Sequence, residues 1–150
     1  MSHRIRLLTN MILLASLCAV PSATRASHTS VVGPSLAINT SLKEATRGRV
    51  LLDINWSLEQ DNLDVRPTEA SIIAILIGAR GKEYKGLANI SIRASGPLSG
   101  SARVAISHQE QYSAPTDARF VVTVTLKRNG SASSLPSRTK EFVLRVNETR

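Results

Sequence analysis

From Leu36 onward, apolar residues recur at every second position, and that period of two is what most limits the folds open to this chain. It is cleanest where Val50, Leu52, Ile54, Trp56 and Leu58 alternate with Asp53, Asn55, Ser57 and Glu59. Successive strand side chains leave on opposite faces, so this stretch reads as a strand with one face buried and the other wet. The same period marks Leu36, Ile38, Thr40 and Leu42, which follow the breaker pair Gly33-Pro34. It returns at Leu87 to Ala94 with Ile90 and Ile92 inward, at Ala102, Val104 and Ile106, at Phe120, Val122, Val124 and Leu126, and at Phe142, Leu144 and Val146. Ala70 to Ile77 is apolar without interruption, as expected of a central strand covered on both faces.

Gly78-Ala-Arg-Gly81 and Ser95-Gly-Pro-Leu-Ser-Gly100 read as turns, and the link from Asn129-Gly130 to Pro136 is too long for a two-residue hairpin. No segment holds a helical period. Seven or eight short strands divided by turn residues predict an all-β fold, a small antiparallel β-sandwich of immunoglobulin-like type, with a small β-barrel as the alternative. The Cys-Trp-Cys arrangement of antibody domains is absent, and Trp56 is expected to plug the core.

Ahead of these strands stands a segment of a different kind. His3, Arg4 and Arg6 precede an apolar run from Leu7 to Val20, and Thr24-Arg25-Ala26 offers a small-x-small cleavage site before Ser27. Residues 1–26 are therefore expected to be a removed secretory signal peptide, 27–35 a flexible lead-in, and 36–150 a single sandwich domain. The apolar run falls short of the roughly 20 residues a membrane span needs, so no transmembrane segment is expected after cleavage. Cleavage would remove the only cysteine, Cys18, and three of the positive charges in a net of +8. The exported domain would be mildly basic, would hold together without a disulfide, and could not use cysteine for zinc or thiol chemistry.

The remaining residues offer little for catalysis. His28 and His108 have no partner at metal-ligand spacing and are expected to be solvated. Gly96-Pro-Leu-Ser99-Gly100 places its serine one position late for a nucleophile elbow. Gly78-Ala-Arg-Gly-Lys82 lacks the spacing and the hydroxyl of a phosphate-cradling loop. Asp61, Asp64 and Glu69 share an acidic stretch that matches no defined calcium loop. No enzyme, no metal and no cofactor is expected.

Two surface features remain. Arg80, Lys82 and Lys85 fall together, and Arg47 and Arg49 flank the start of the Trp56 strand, so one end of the sandwich is expected to be basic and suited to an anionic polymer. Aromatic residues are too few to stack single-stranded nucleic acid, which is not an expected partner. Asn39, Asn55, Asn89, Asn129 and Asn147 each begin an Asn-x-Ser/Thr sequon and fall on outward strand positions or turns. Alternating polar strand positions generate that spacing by themselves, so the sequons serve as markers of exposure.

The function expected is that of a secreted or periplasmic, non-enzymatic interaction or structural module at the cell envelope or surface, as in adhesion. Its partner would be another envelope or surface protein, or an anionic polymer. One alternative is a pilin-type subunit that donates residues 30–42 to a neighbour, with Leu36, Ile38 and Leu42 as the inserted side chains. The competing expectation is that this segment is the first strand of its own sandwich. A further alternative is a periplasmic chaperone or inhibitor that caps the strands of exported clients.

Overall fold

The computed structural model describes residues 35–59, 63–129 and 135–148. The expected signal peptide with Cys18, His28, Asp61 and the first residues of the 30–42 segment lie outside them.

Seven strands follow in order: β1 (Leu36–Thr46), β2 (Arg49–Leu58), β3 (Glu69–Ile77), β4 (Glu83–Ser91), β5 (Ser99–Ser107), β6 (Thr116–Lys127) and β7 (Ser137–Val146). They form two antiparallel sheets, a three-stranded one in the order β1-β2-β5 and a four-stranded one in the order β4-β3-β6-β7. No ladder joins the two sheets, so the fold is a small β-sandwich and not a closed barrel. A constant-type immunoglobulin domain has its fourth strand in the sheet of its first, second and fifth; here β4 lies beside β3.

The alternation builds the core. Val50, Leu52, Ile54 and Trp56 of β2 face Ala70, Ile72, Ala74 and Leu76 of β3 and Phe120, Val122, Val124 and Leu126 of β6, all buried. Each large apolar side chain withdrawn from water in this way contributes roughly 1.5–3 kcal/mol. Trp56 takes the expected core place, and its indole lies across Gly100, its register partner on β5. A Cβ at Gly100 would stand 2.8 Å from the indole Nε1, so the strand stays bare there.

The remaining departures from the period have local causes. The alternation of β1 breaks at a bulge, where Leu42 pairs with Leu52 but Glu44 pairs with Leu51. One extra residue reverses the facing, so Ala45 is buried where the earlier even positions were inward. The strand then runs on to Thr46 and a tight turn at Arg47-Gly48, where Gly48 has a φ of +83°. β4 begins four residues earlier than the sequence implies, with Tyr84 inward, and the second turn gives its end to β5. β3 is central as expected, but the two faces differ. Ala70, Ile72, Ala74 and Leu76 are buried, whereas Ser71, Ile73, Ile75 and Ile77 are only half-buried on the outer face. A continuous apolar run says that a strand is flanked on both sides, not that a layer covers both its faces.

Both flanks of the sandwich are closed by side chains. On one, Gly86 of β4 lies so close to β5 that a Cβ would run into the Ala105 carbonyl oxygen and the side chains of Val104 and Ile106. On the other, Arg138 and Lys140 occupy inward positions of β7 and reach the outer edge of β1. The Arg138 guanidinium donates to the Leu36 carbonyl at 2.8 Å, and the Lys140 ammonium to the Ile38 carbonyl at 3.1 Å. Inward-pointing cations on an edge strand deny a third chain the free carbonyls it would need for pairing.

Gly86→Ala is expected to destabilise the fold by about 1–3 kcal/mol, because the added methyl meets backbone that cannot step aside. Leu87→Ala, one residue away and 72% exposed, is expected to stay within about 0.5 kcal/mol of wild type. Urea denaturation followed by Trp56 fluorescence separates the two.

Candidate binding end of the sandwich

At one end of the sandwich, two turns and the end of β7 converge on the segment that leaves β5. Arg49 pairs with Ser107 across the ladder, and one residue on, the His108 N–H donates to the Gly48 carbonyl at 2.9 Å, which clamps the β1–β2 turn. The Lys82 ammonium donates to Gln109 Oε1 at 2.8 Å. The Tyr84 hydroxyl donates to Glu110 Oε1 at 3.0 Å, and the Tyr112 N–H to Glu148 Oε1 at 3.2 Å. Gly78 has no Cβ because the Glu110 carboxylate and the Tyr84 ring occupy that space.

His108 sits at the centre. It is only 6% exposed, with the Tyr84 ring edge-on at 6.2 Å and the Tyr112 ring at 5.5 Å. This corrects the expectation of a solvated side chain. Spacing along the strand places His108 just past the end of β5, but burial comes from two tyrosines supplied by other segments. Among the described residues neither Nδ1 nor Nε2 has a hydrogen-bond partner. A buried polar group left in this state costs about 1–3 kcal/mol. Above the ring, Lys82, Tyr84, Ser107 and Gln109 complete an open pocket of about 380 Å³. A neighbouring pocket of about 510 Å³ runs between Gly78, Glu110, Tyr112 and Arg119.

The expected basic patch is brought together in part. Arg47, Arg49, Arg80 and Lys82 stand exposed on the turns that meet around 107–110. Lys85 does not join them, because the parity of β4 puts it on the outer face of the four-stranded sheet, in register with Ile75. Between the cations lie Glu110 and Glu148, which the sequence reading left out. Both carboxylates are engaged internally, by Tyr84 and Tyr112, whereas Arg47, Arg49 and Arg80 have no ion pair among the described residues. Those two carboxylates are turned to internal hydrogen bonds, while the cations stand exposed together with two acids of the same end, Glu83 and Asp117.

Arg80 has a second peculiarity. It lies in the 3-10 turn Ala79–Gly81 with a φ of +58°, and among the described residues no other non-glycine has positive φ. For an arginine this left-handed geometry costs roughly 1 kcal/mol relative to glycine. Tyr112 is perturbed as well: burial first, then the charges of Glu110 and Glu148, push its hydroxyl up to about 12.

The other proposed positions are accounted for simply. Leu36 and Ile38 are buried and Leu42 is half-buried in β1, paired with β2 of the same chain. Asn39, Asn55, Asn89, Asn129 and Asn147 are all exposed. Among the described residues no three His, Cys, Asp or Glu side chains stand together as metal ligands. No family model matches the chain, and no curated protein matches it.

Two outcomes are expected. His108→Phe keeps an aromatic ring between the tyrosines and removes both orphan nitrogens, so it should stabilise the fold by about 1 kcal/mol in urea denaturation. At alkaline pH, a hydroxyl whose folded pKa lies above its unfolded value favours the folded state only while protonated. Stability should therefore fall as pH rises from about 10 to about 12. Tyr112→Phe should move the alkaline unfolding midpoint, read by circular dichroism, to higher pH.

Proposed function

We propose that the protein is an extracytoplasmic, non-enzymatic binding module whose loop end receives acidic groups presented by an envelope or surface partner, an anionic polymer first among them. The observation that carries this reading is His108, an imidazole buried at the meeting point of the loops with no acceptor or donor for either nitrogen. An anion entering between Lys82 and Gln109 would give the ring N–H an acceptor and the ammonium a counter-charge. Arg47, Arg49 and Arg80 frame the approach with cations that have no ion pair among the described residues. The strained Arg80 supports the same reading, because glycine would suit that backbone better and only a use for the guanidinium favours arginine.

Residues 30–42 remain the alternative as a donated strand, and there the flanks matter. A neighbour's strand would have to displace Arg138 and Lys140 from the β1 carbonyls, or β1 would have to leave β2 altogether. The loop end demands neither.

The test is binding to dextran sulfate and to a neutral dextran, measured by isothermal titration at low and at physiological ionic strength. Wild type should bind the sulfated polymer alone and weaken as salt rises, since the Debye length shortens to about 8 Å at 0.15 M. Arg80→Gly should fold at least as stably as wild type and bind more weakly, and Lys82→Ala should weaken binding without changing stability. Equal affinity for the neutral polymer, or binding untouched by both substitutions, would overturn the reading.

A further inference from the structure

The outer face of the four-stranded sheet carries an apolar stripe that the loop end does not use. Leu87 on β4 and Val143 on β7 are 72% and 62% exposed, the two large hydrophobics that stand furthest into water among the described residues. Between them run Ile73, Ile75 and Ile77 of β3 and Val121 of β6, outward and half-buried. The opposite face of the molecule is different: Ser41, Asp53, Asn55, Ser101 and Arg103 surround an open polar depression, with Arg103 bonded to Asp53 at 3.1 Å. A sandwich that puts water-compatible residues on one outer face and isoleucines on the other has one face shaped for contact.

The rows across the stripe say with what. The ladder registers align Lys85, Ile75, Val121 and Glu141 in one line across β4, β3, β6 and β7. Read from either edge, the row is charge, two aliphatics and opposite charge. Turn a second copy by a half-rotation about an axis parallel to the strands, and β4 of each copy lies over β7 of the other. Lys85 then meets Glu141 of the second copy at both edges, and Ile75 meets Val121 twice in the middle. The row above aligns Leu87, Ile73, Thr123 and Thr139, which the same rotation superimposes without a clash of charge. The row below aligns Glu83, Ile77, Arg119 and Val143, and the same rotation sets Val143 against Glu83 and Ile77 against Arg119. A half-rotation about the perpendicular axis through the central row would oppose Lys85 to Lys85 and Glu141 to Glu141, so the central row selects the first arrangement. Glu141 is held ready for it: Arg119 grips both carboxylate oxygens, at 2.7 and 3.2 Å, and fixes the rotamer on the exposed surface.

We infer that the protein self-associates as a two-fold dimer through the outer face of the β4-β3-β6-β7 sheet. The area suffices: four strands spaced about 4.8 Å apart, with nine residues of β3 rising about 3.4 Å each, give a face of roughly 600 Å² before side-chain relief. Standard interfaces bury about 800 Å² per partner, and sheets stack readily at the small angle their twist imposes. The contact lies away from the loop end, so the dimer presents two sets of cationic turns at once, and it stands or falls independently of the acidic ligand proposed for them.

The test is sedimentation velocity of the purified chain across the micromolar range, with circular dichroism as a control for folding. Wild type should pass from monomer to dimer with rising concentration. Leu87→Glu and Val143→Glu, both at exposed positions, should keep the fold and weaken dimerisation at least about tenfold. Lys85→Glu should weaken it too, because it sets a carboxylate against Glu141 of the second copy, and Lys85→Arg should leave it intact. A wild type that stays monomeric throughout would overturn the proposal. So would a dimer indifferent to Leu87→Glu and Val143→Glu, or one indifferent to Lys85→Glu while the chain remains folded.

Discussion

The structure depends on one apolar layer to which each sheet surrenders every second side chain. Val50 to Trp56 on one side and the inward residues of β3 and β6 on the other have no second place to go. A strand slipped by one residue would turn its isoleucines and valines to water and its serines and threonines inward. Register is therefore fixed by burial, and the turns must accommodate it. The β1 bulge shows the accommodation at work, since one added residue lets Ala45 reach the core beside Val50 while the strand still closes the Arg47-Gly48 turn. No disulfide joins any described residues, whose sequence contains no cysteine, so this layer carries the stability the fold has.

A layer of that kind leaves four strand edges, and their treatment decides how the molecule can meet others. Glycine at position 86 lets β4 close on β5, and the inward Arg138 and Lys140 cross to the carbonyls of β1. The second device is the more telling one. Two cations at inward positions of β7 would be costly in a core, and they are tolerable because they sit where the strand overhangs the layer and find backbone acceptors. With both flanks occupied, partners are left the ends of the sandwich and its outer faces. The orphan imidazole, the left-handed arginine and the exposed isoleucine stripe are all found there.

Period two made the strands legible, along with the core role of Trp56 and the exposure of the five sequon asparagines, because pleating alone determines which way each residue points. What escaped was whatever depends on a neighbour distant in sequence. His108 follows Val104 and Ile106 in phase, but it lies past the end of β5, and Tyr84 and Tyr112 complete its burial. Glu110 and Glu148 look like ordinary surface acids until Tyr84 and the Tyr112 backbone engage them. Lys85 seemed to belong with Arg80 and Lys82 because they are close in sequence, yet β4 starts at Glu83, and one step of pleat sends Lys85 to the sheet face. The second half of β1 was hidden for the reason that the bulge exists: Lys43 to Arg49 shows no alternation to read. A signal was available for the binding end, since Gly48, Gly78 and Gly81 mark tight turns beside each group of cations, but only the fold shows that those turns meet.

The unfavourable features are also unevenly placed, and that distribution bears on how the molecule works. A buried imidazole without partners and an arginine in glycine's conformation together cost a few kcal/mol in a fold whose total stability is of the order of 5–15 kcal/mol. Both lie at the same end, within turns joined by the segment 107–112, while the layer between the sheets contains neither. The strands keep two unsatisfied groups of their own, the Trp56 indole nitrogen and the Thr40 hydroxyl, so what sets the loop end apart is a buried ring with two orphan nitrogens beside an arginine in the left-handed region. A ligand that supplied the missing hydrogen-bond acceptor there would then stabilise the loops it touches and leave the sheet face, with its separate apolar row, free for its own contact.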